Sequence, residues 1–351
     1  MKAQVLYDIN DLKFTDVDMP VPGEGEALVK VTRCGICGSD VPRIYKTGAH
    51  NMPLIPGHEF AGTIVECPSR PDLLGKRAGI FPLIPCRSCT QCKARHYEMC
   101  EHYDYLGSRS NGGFAEYVKV PTWNLLPISD EITDDVAAML EPMCVAVHAM
   151  RQIDFVKDAN IVVCGLGTIG LLVAMFLKDA GYQNIFCIGN KDVQREKLLA
   201  MGYEPEHFCD VRRCDPESYV LEMTDGKKAD VYFECIGRSE SYEQAVKCTG
   251  PHGSVILVGN PASDMELTRQ TYWQILRNQL TLKGTWNSSF NGIEGTGDDW
   301  RYVLERLNAW TLDSGPSDLI THRFELSQLQ NGLDIMRRKS EEYVKIMIEI
   351  S

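Results

Sequence analysis

No apolar leader opens the chain: Met1-Lys-Ala-Gln runs into a strand-like Val5-Leu-Tyr7, not a signal peptide, so a cytoplasmic location is expected. No internal repeat and no low-complexity linker interrupts it. A composition 44% hydrophobic and 24% charged fits neither wholesale disorder nor collagen. Basic charge is scarce: 36 Lys and Arg against 48 Asp and Glu leave a formal net charge of −12. A surface of that sign repels phosphate backbones, so no nucleic-acid partner is expected, although a local basic pocket can still hold a small anion. Charge-free runs are scarce too. Residues 159–177 approach a membrane span in length, but three glycines at turn spacing divide them into a strand and a helix, and no membrane association is expected.

The 351 residues suffice for two ordinary domains, each with a sizeable core. Residues 1–150 read as short strands and turns, with alternation in Ala27-Leu-Val-Lys-Val-Thr32 and Gly113-Phe-Ala-Glu-Tyr-Val-Lys-Val120. From about 155 the pattern becomes apolar strand, glycine turn, amphipathic helix. Candidate strands are 160–164, 184–188, 230–234 and 254–258, with Leu280-Thr-Leu-Lys-Gly-Thr285 as the last. That alternation predicts a parallel sheet with helices on both faces. After about 290, isolated strands return around one or two helices, through Ile320-Thr-His-Arg-Phe324 and residues 343–350. The expected class is α/β: a β-rich domain of residues 1–150 and 290–351, interrupted by a doubly wound parallel-sheet domain of residues 151–289.

Cysteine is plentiful, at fourteen residues, and in a chain without a leader reduced thiols are the expectation. Four of them form Cys86-x2-Cys89-x2-Cys92-x7-Cys100, a spacing that surrounds one tetrahedral Zn²⁺ with no ligand left over. Disulfides are disfavoured in a cytosolic chain, and four protein ligands leave no open position, so this zinc staples a lobe of about residues 84–102 and does no catalysis. A second set is scattered: Cys37, Ser39 and Asp40 in Gly35-Ile-Cys-Gly-Ser-Asp40, His58 and Glu59 in Gly57-His-Glu-Phe60, and Glu141 in Leu140-Glu-Pro142. Singly each has a plain structural alternative; Glu141, for instance, suits an exposed helix start. Together Cys37, His58 and a carboxylate can hold a zinc with an open position, the arrangement that polarises an alcohol oxygen. Asp40 is then the natural acceptor for the second imidazole nitrogen of His58.

The glycine fingerprint Gly165-Leu166-Gly167-Thr168-Ile169-Gly170 lies straight after the strand 160–164 and opens a helix expected over 168–180. In that context the glycines allow a tight turn and close pyrophosphate approach, with helix N–H groups meeting the phosphates. An acid that grips the ribose hydroxyls is expected about twenty residues on. Here the second strand runs into Gly189-Asn190-Lys191, with Arg195 one turn later. Gly189 leaves room where an acid would repel a 2′-phosphate, and Lys191 and Arg195 can pair with one, so NADP(H) is favoured over NAD(H). Asp192 is read as the cap of the following helix.

These signals, in this order and over essentially the whole chain, resemble the zinc-dependent medium-chain dehydrogenases. The resemblance implies a GroES-like catalytic domain, an inserted Rossmann domain, and a homodimer or homotetramer. Glu141-Pro142 looks like the polyol-dehydrogenase branch. There the runs Cys37-Gly-Ser-Asp-Val-Pro-Arg43, Gly48-Ala-His50, Gly107-Ser-Arg109 and Gly112-Gly-Phe-Ala-Glu-Tyr117 are similar to those of galactitol-1-phosphate 5-dehydrogenases. It implies a catalytic zinc on Cys37, His58 and Glu141, with Glu59 as alternate or supporting carboxylate. Pro42 stands where many members end a proton relay with histidine, so the proton taken by Ser39 passes to a ribose hydroxyl, a water or His50. The reading that follows is reversible oxidation of a secondary alcohol on a polyol or polyol phosphate, with Arg43, Lys46 and Arg109 as a phosphate-binding corner. The rivals are an unphosphorylated polyol dehydrogenase, a threonine-type dehydrogenase and, outside enzymes, a zinc-stapled binding protein.

Overall fold

Strand pairing starts at the N-terminus. In the computed structural model, which describes residues 1–261 and 263–351, β1 (Lys2–Asp8) pairs antiparallel with β2 (Asp11–Asp16). The eleven-residue β3 (Glu26–Ile36) contains the alternating run and organises a seven-stranded sheet. Its antiparallel partners are β4 (Glu59–Glu66), β8 (Tyr117–Pro121) and, from the far end of the chain, β17 (Lys345–Glu349). β5 (Arg77–Ile80) and β9 (Leu125–Pro127) extend one side, and β16 (Ile320–Glu325) the other. Val29, Val31, Ile36, Phe60, Ile64, Ile80, Val118 and Ile346 form one buried core. Burial on this scale stabilises by roughly 2 kcal/mol per large aliphatic side chain. β6 (Leu83–Ile84) and β7 (Asp104–Tyr105) make a two-stranded stem for the four-cysteine lobe. Residues 1–144, 288–306 and 316–351 form this first compact unit.

The second unit, residues 145–287 and 307–315, is wound differently. Its six parallel strands are β10 (Ile161–Cys164), β11 (Ile185–Gly189), β12 (Phe208–Asp210), β13 (Ala229–Glu234), β14 (Thr249–Leu257) and β15 (Thr281–Gly284). Their order is β12-β11-β10-β13-β14-β15, so the winding reverses between β10 and β13, where such sheets bind their ligands. β10 and β11 are buried throughout, which is why they read as unbroken apolar runs. The charge-free window is divided as its glycines required, into β10 and the helix Thr168–Asp179. Among the described residues, no helix is long and apolar enough to cross a membrane.

Two details differ from the sequence reading. β12 was not anticipated: three residues following a 3-10 turn at Pro205–His207 are too short to show a period. Residues 307–315 pack with the second unit, because the Thr311 hydroxyl donates to Asp179 (3.0 Å) and the Trp310 ring meets Phe176 edge-on.

Candidate active site

Register brings the scattered set together. Gly35 pairs with Glu59 and Cys34 with Phe60, so the turn leaving β3 carries Cys37 to the point where β4 begins. His58 precedes that strand and is fixed by backbone crowding. Gly57 has φ +94° and Gly107 φ +80°, and a Cβ on Gly107 would collide with the Gly57 carbonyl. On the other side of β3, Ile346 pairs with Ile36, which delivers Lys345 to the same place.

One ligand atom each from Cys37, His58 and Glu59 lies within 4.8 Å of the others, and His58 and Glu59 are buried. Lys345, also buried, donates to Glu59 and to the Ile36 carbonyl oxygen (3.1 Å). Glu141 stands outside that triplet. It is 7% exposed, so it is not an open helix-start acid, and it accepts a long hydrogen bond from the Tyr105 hydroxyl (3.4 Å). Burial pushes its carboxyl up to about 7, with Glu59 adding to the shift and His58 opposing it. The Cys37 thiol rises to about 12 through burial, with Glu59 and Asp40 behind it. A thiol, an imidazole and carboxylates crowded out of water are a donor set that suits a divalent cation.

Around this core the expected contacts change in detail. Asp40 is fully buried, but its carboxylate is 3.6 Å from His58 Nδ1, longer than a hydrogen bond, and that nitrogen has no hydrogen-bond partner among the described residues. Asp40 instead accepts from the Cys37 amide (3.0 Å) and from Arg43 Nη1 (2.5 Å), so it fixes the Cys37 turn and ties up part of the Arg43 guanidinium. Ser39 donates to the Cys37 sulfur (3.3 Å), which leaves its oxygen lone pairs to accept a proton. Lys46 and His50 are exposed. The Asn51 side chain donates to the Arg109 carbonyl (2.8 Å) and so joins the loop after His50 to the loop of Arg109, whose guanidinium lies over the Tyr103 ring.

The lobe cysteines also converge: Cys86, Cys89, Cys92 and Cys100 place their sulfurs within 4.8 Å of one another. Hydrogen bonds from the Ser88 hydroxyl and from the Ser88 and Cys89 amides pull the Cys86 thiol down to about 5, which favours the thiolate a metal takes. All fourteen cysteines carry free thiols.

In the second unit, Gly165 (φ +92°) turns the chain out of β10, and a Cβ on Gly170 would strike the Gly165 carbonyl. Gly167 caps the helix that Thr168 begins, and nothing lies within 4 Å of a Cβ built on it. That open space before a row of helix N–H groups is a cradle for a pyrophosphate. Leu166 is buried beneath it and Ile169 half-buried. At the end of β11, Gly189 is buried, while Asn190 and Arg195 are exposed. The residue that caps the next helix is Lys191, not Asp192. The Gln194 carboxamide accepts from the Asn190 and Lys191 amides, and Asp192 pairs with Arg212 (2.5 Å).

Sequence reading missed Lys345, Tyr105, Asn51, Gln194 and Arg212. Only Lys345 left a signal, as a lysine inside an apolar strand whose neighbours on both sides are buried.

Residues 23–130 match the alcohol dehydrogenase GroES-like domain, and residues 168–309 match the zinc-binding dehydrogenases. The chain is 33% identical to galactitol 1-phosphate 5-dehydrogenase of Escherichia coli over 86% of each sequence. It is 29% identical to L-threonine 3-dehydrogenase of Vibrio parahaemolyticus over 92% of each. The crystal structure of galactitol-1-phosphate dehydrogenase from Escherichia coli superposes with a TM-score of 0.90 at 29% identity, covering 99% of this chain and 100% of that one.

Proposed function

Because this chain belongs to the zinc-dependent medium-chain alcohol dehydrogenases, we propose that it interconverts a secondary alcohol of a polyol phosphate and the corresponding keto sugar phosphate. The alcohol and NADP⁺ give the ketone, NADPH and a proton. The observation that carries this reading is the buried convergence of Cys37, His58 and Glu59, with Glu141 beside it, in a chain that also has the glycine cradle of residues 165–170. When bound, zinc would supply a Lewis acid for the substrate hydroxyl and a nicotinamide cofactor would supply the hydride acceptor.

The remaining work falls to the protein. Cys37, His58 and Glu141 are the metal ligands in this reading. Glu59, which lies in one group with Cys37 and His58 and is held by Lys345, is the alternate or supporting carboxylate, and Asp40 keeps the Cys37 turn in place. Ser39 takes the hydroxyl proton on its oxygen as it passes its own to a ribose hydroxyl, a water or His50. Arg43 and Lys46, on the helical turn of residues 43–47, and His50 and Arg109, on loops that Asn51 joins, offer the substrate phosphate a basic rim. The unit of residues 1–144, 288–306 and 316–351 serves as the catalytic domain, and that of 145–287 and 307–315 as the cofactor domain, where Lys191 and Arg195 receive the 2′-phosphate of NADP⁺.

Initial rates over a panel of polyols, polyol phosphates and L-threonine, with NAD⁺ and NADP⁺ side by side, test this directly. The expected result is turnover of a phosphorylated polyol, loss of at least a hundredfold in kcat/KM for its unphosphorylated twin, and preference for NADP⁺. Equal use of the free polyol returns Arg43, Lys46 and Arg109 to ordinary surface charges. Turnover of threonine alone replaces the substrate class.

A further inference from the structure

The last residue of β11, Gly189, sits about where a dinucleotide-binding sheet presents its ribose-gripping acid. Backbone geometry does not demand glycine there, since its φ lies outside the left-handed region. Space does. A Cβ at 189 would stand 2.5 Å from Gln194 Oε1, 2.9 Å from a Phe208 ring carbon and 3.0 Å from a Leu166 methyl. Gln194 is 6% exposed, and its carboxamide oxygen is anchored by the amides of Asn190 (2.9 Å) and Lys191 (3.1 Å). It therefore holds the loop closed and fills the place of the missing side chain.

We infer that Gln194 sets cofactor preference in this enzyme, by barring a carboxylate from position 189. This deepens the NADP(H) reading above and rests on it. An acid at 189 would meet not a vacant position but an oxygen of partial negative charge, already committed to two amides. Nor do nearby acids supply the missing grip. Asp210, the register partner of Gly189, is clamped by Arg212 Nε (2.8 Å) and Nη2 (2.7 Å), and the same guanidinium holds Asp192. Arg212 thus occupies both acids beside the end of β11, and leaves neither Asp210 nor Asp192 to grip a ribose hydroxyl. Gly189 thus lacks a ribose-gripping acid because Gln194 occupies the place that the acid's side chain would need.

The test is binding of NADP⁺ and NAD⁺, by calorimetry, to the full-length protein and to Gly189→Asp, Gln194→Ala and the double variant, with a thermal melt of each. Gly189→Asp alone is expected to bind both cofactors at least tenfold more weakly and to melt lower. The double variant, which removes the shortest of the three contacts and leaves only those to Phe208 and Leu166, is expected to bind NAD⁺ at least tenfold more tightly than Gly189→Asp does. If Gly189→Asp alone gains NAD⁺, or the double variant is no better, the inference is overturned. Should Gly189→Asp not fold, Gly189→Ala decides it: its loss of melting temperature is expected to shrink when Gln194 is Ala, and strict additivity counts against the coupling. A wild-type preference for NAD⁺ sinks the NADP reading, while the coupling between 189 and 194 is still decided by the same variants.

Discussion

At the scale of single residues, the most consequential group is a lysine that no motif marks. Lys345 and Glu59 are both nearly inaccessible, and they meet across strands that start 286 residues apart. Burial alone would push the Lys345 ammonium down, but Glu59, with the Cys37 and Glu141 groups nearby, holds it raised. Removing one member of such a pair leaves the other as an unpaired charge out of water. Lys345→Met is accordingly expected to destabilise the protein by about 3–5 kcal/mol. Glu59→Leu/Lys345→Met together should recover most of that loss, because no charge is then stranded. Denaturant melts of the wild type and the two variants check this, and a double variant as unstable as Lys345→Met would rule it out. Position 345 was half legible, since a lysine in an apolar strand announces a partner; which partner depended on register.

Among the elements, the four-cysteine lobe has the least to hold it. Its helical content is two short turns, Thr90–Lys93 and Tyr97–Met99. Its docking rests on Tyr97 against Trp123 (5.0 Å) and Arg87 over the same ring, at the edge of an aromatic cluster with Phe81, Phe290 and Trp300. A loop with so little core would depend for order on a zinc held by its four cysteines. Cys92→Ser should therefore lower bound zinc by one ion per chain and expose residues 86–100 to proteolysis, while the second-unit fold is retained. Zinc analysis with limited proteolysis reads both, and a protease-resistant lobe in the zinc-depleted variant would count against this account. The spacing of these cysteines was fully legible because all four lie within fifteen residues. The aromatic base was not, since Phe290 and Trp300 arrive from the chain's return after the second unit.

Across the whole molecule, that return is fastened by charge as well as by strand pairing. Arg323 makes two hydrogen bonds to Asp135 (2.8 and 2.7 Å), Arg33 adds a third, and Glu349 lies beside both guanidinium groups. The Arg323 hydrogen bonds, against the cost of partial burial, hold the Asp135 carboxyl below its ordinary range. A carboxylate lowered on folding contributes fully above about pH 5 and loses its contribution as pH falls through the lowered value. Asp135→Asn should cost about 1 kcal/mol at neutral pH, given the partial exposure of the pair, and the gap from wild type should close in acid. Melting temperatures from pH 7 down to 3 check the trend, and a constant gap would remove Asp135 as its cause.

The sequence by itself determined what short spacing can determine. The glycine turn, the four-cysteine staple and the change of rhythm near residue 155 each depend on neighbours within a turn or a strand, so composition and period suffice to read them. Tertiary structure decided which groups keep company. Glu59 is the acid tied to a lysine while Glu141 has a long contact to Tyr105; Asp40 serves the Cys37 amide and Arg43 rather than His58; Gln194 fills the space beside Gly189. The physical reason is the same each time. A buried polar group must find its partner wherever strand register and packing deliver one, and that partner's address is not written in the residues next to it.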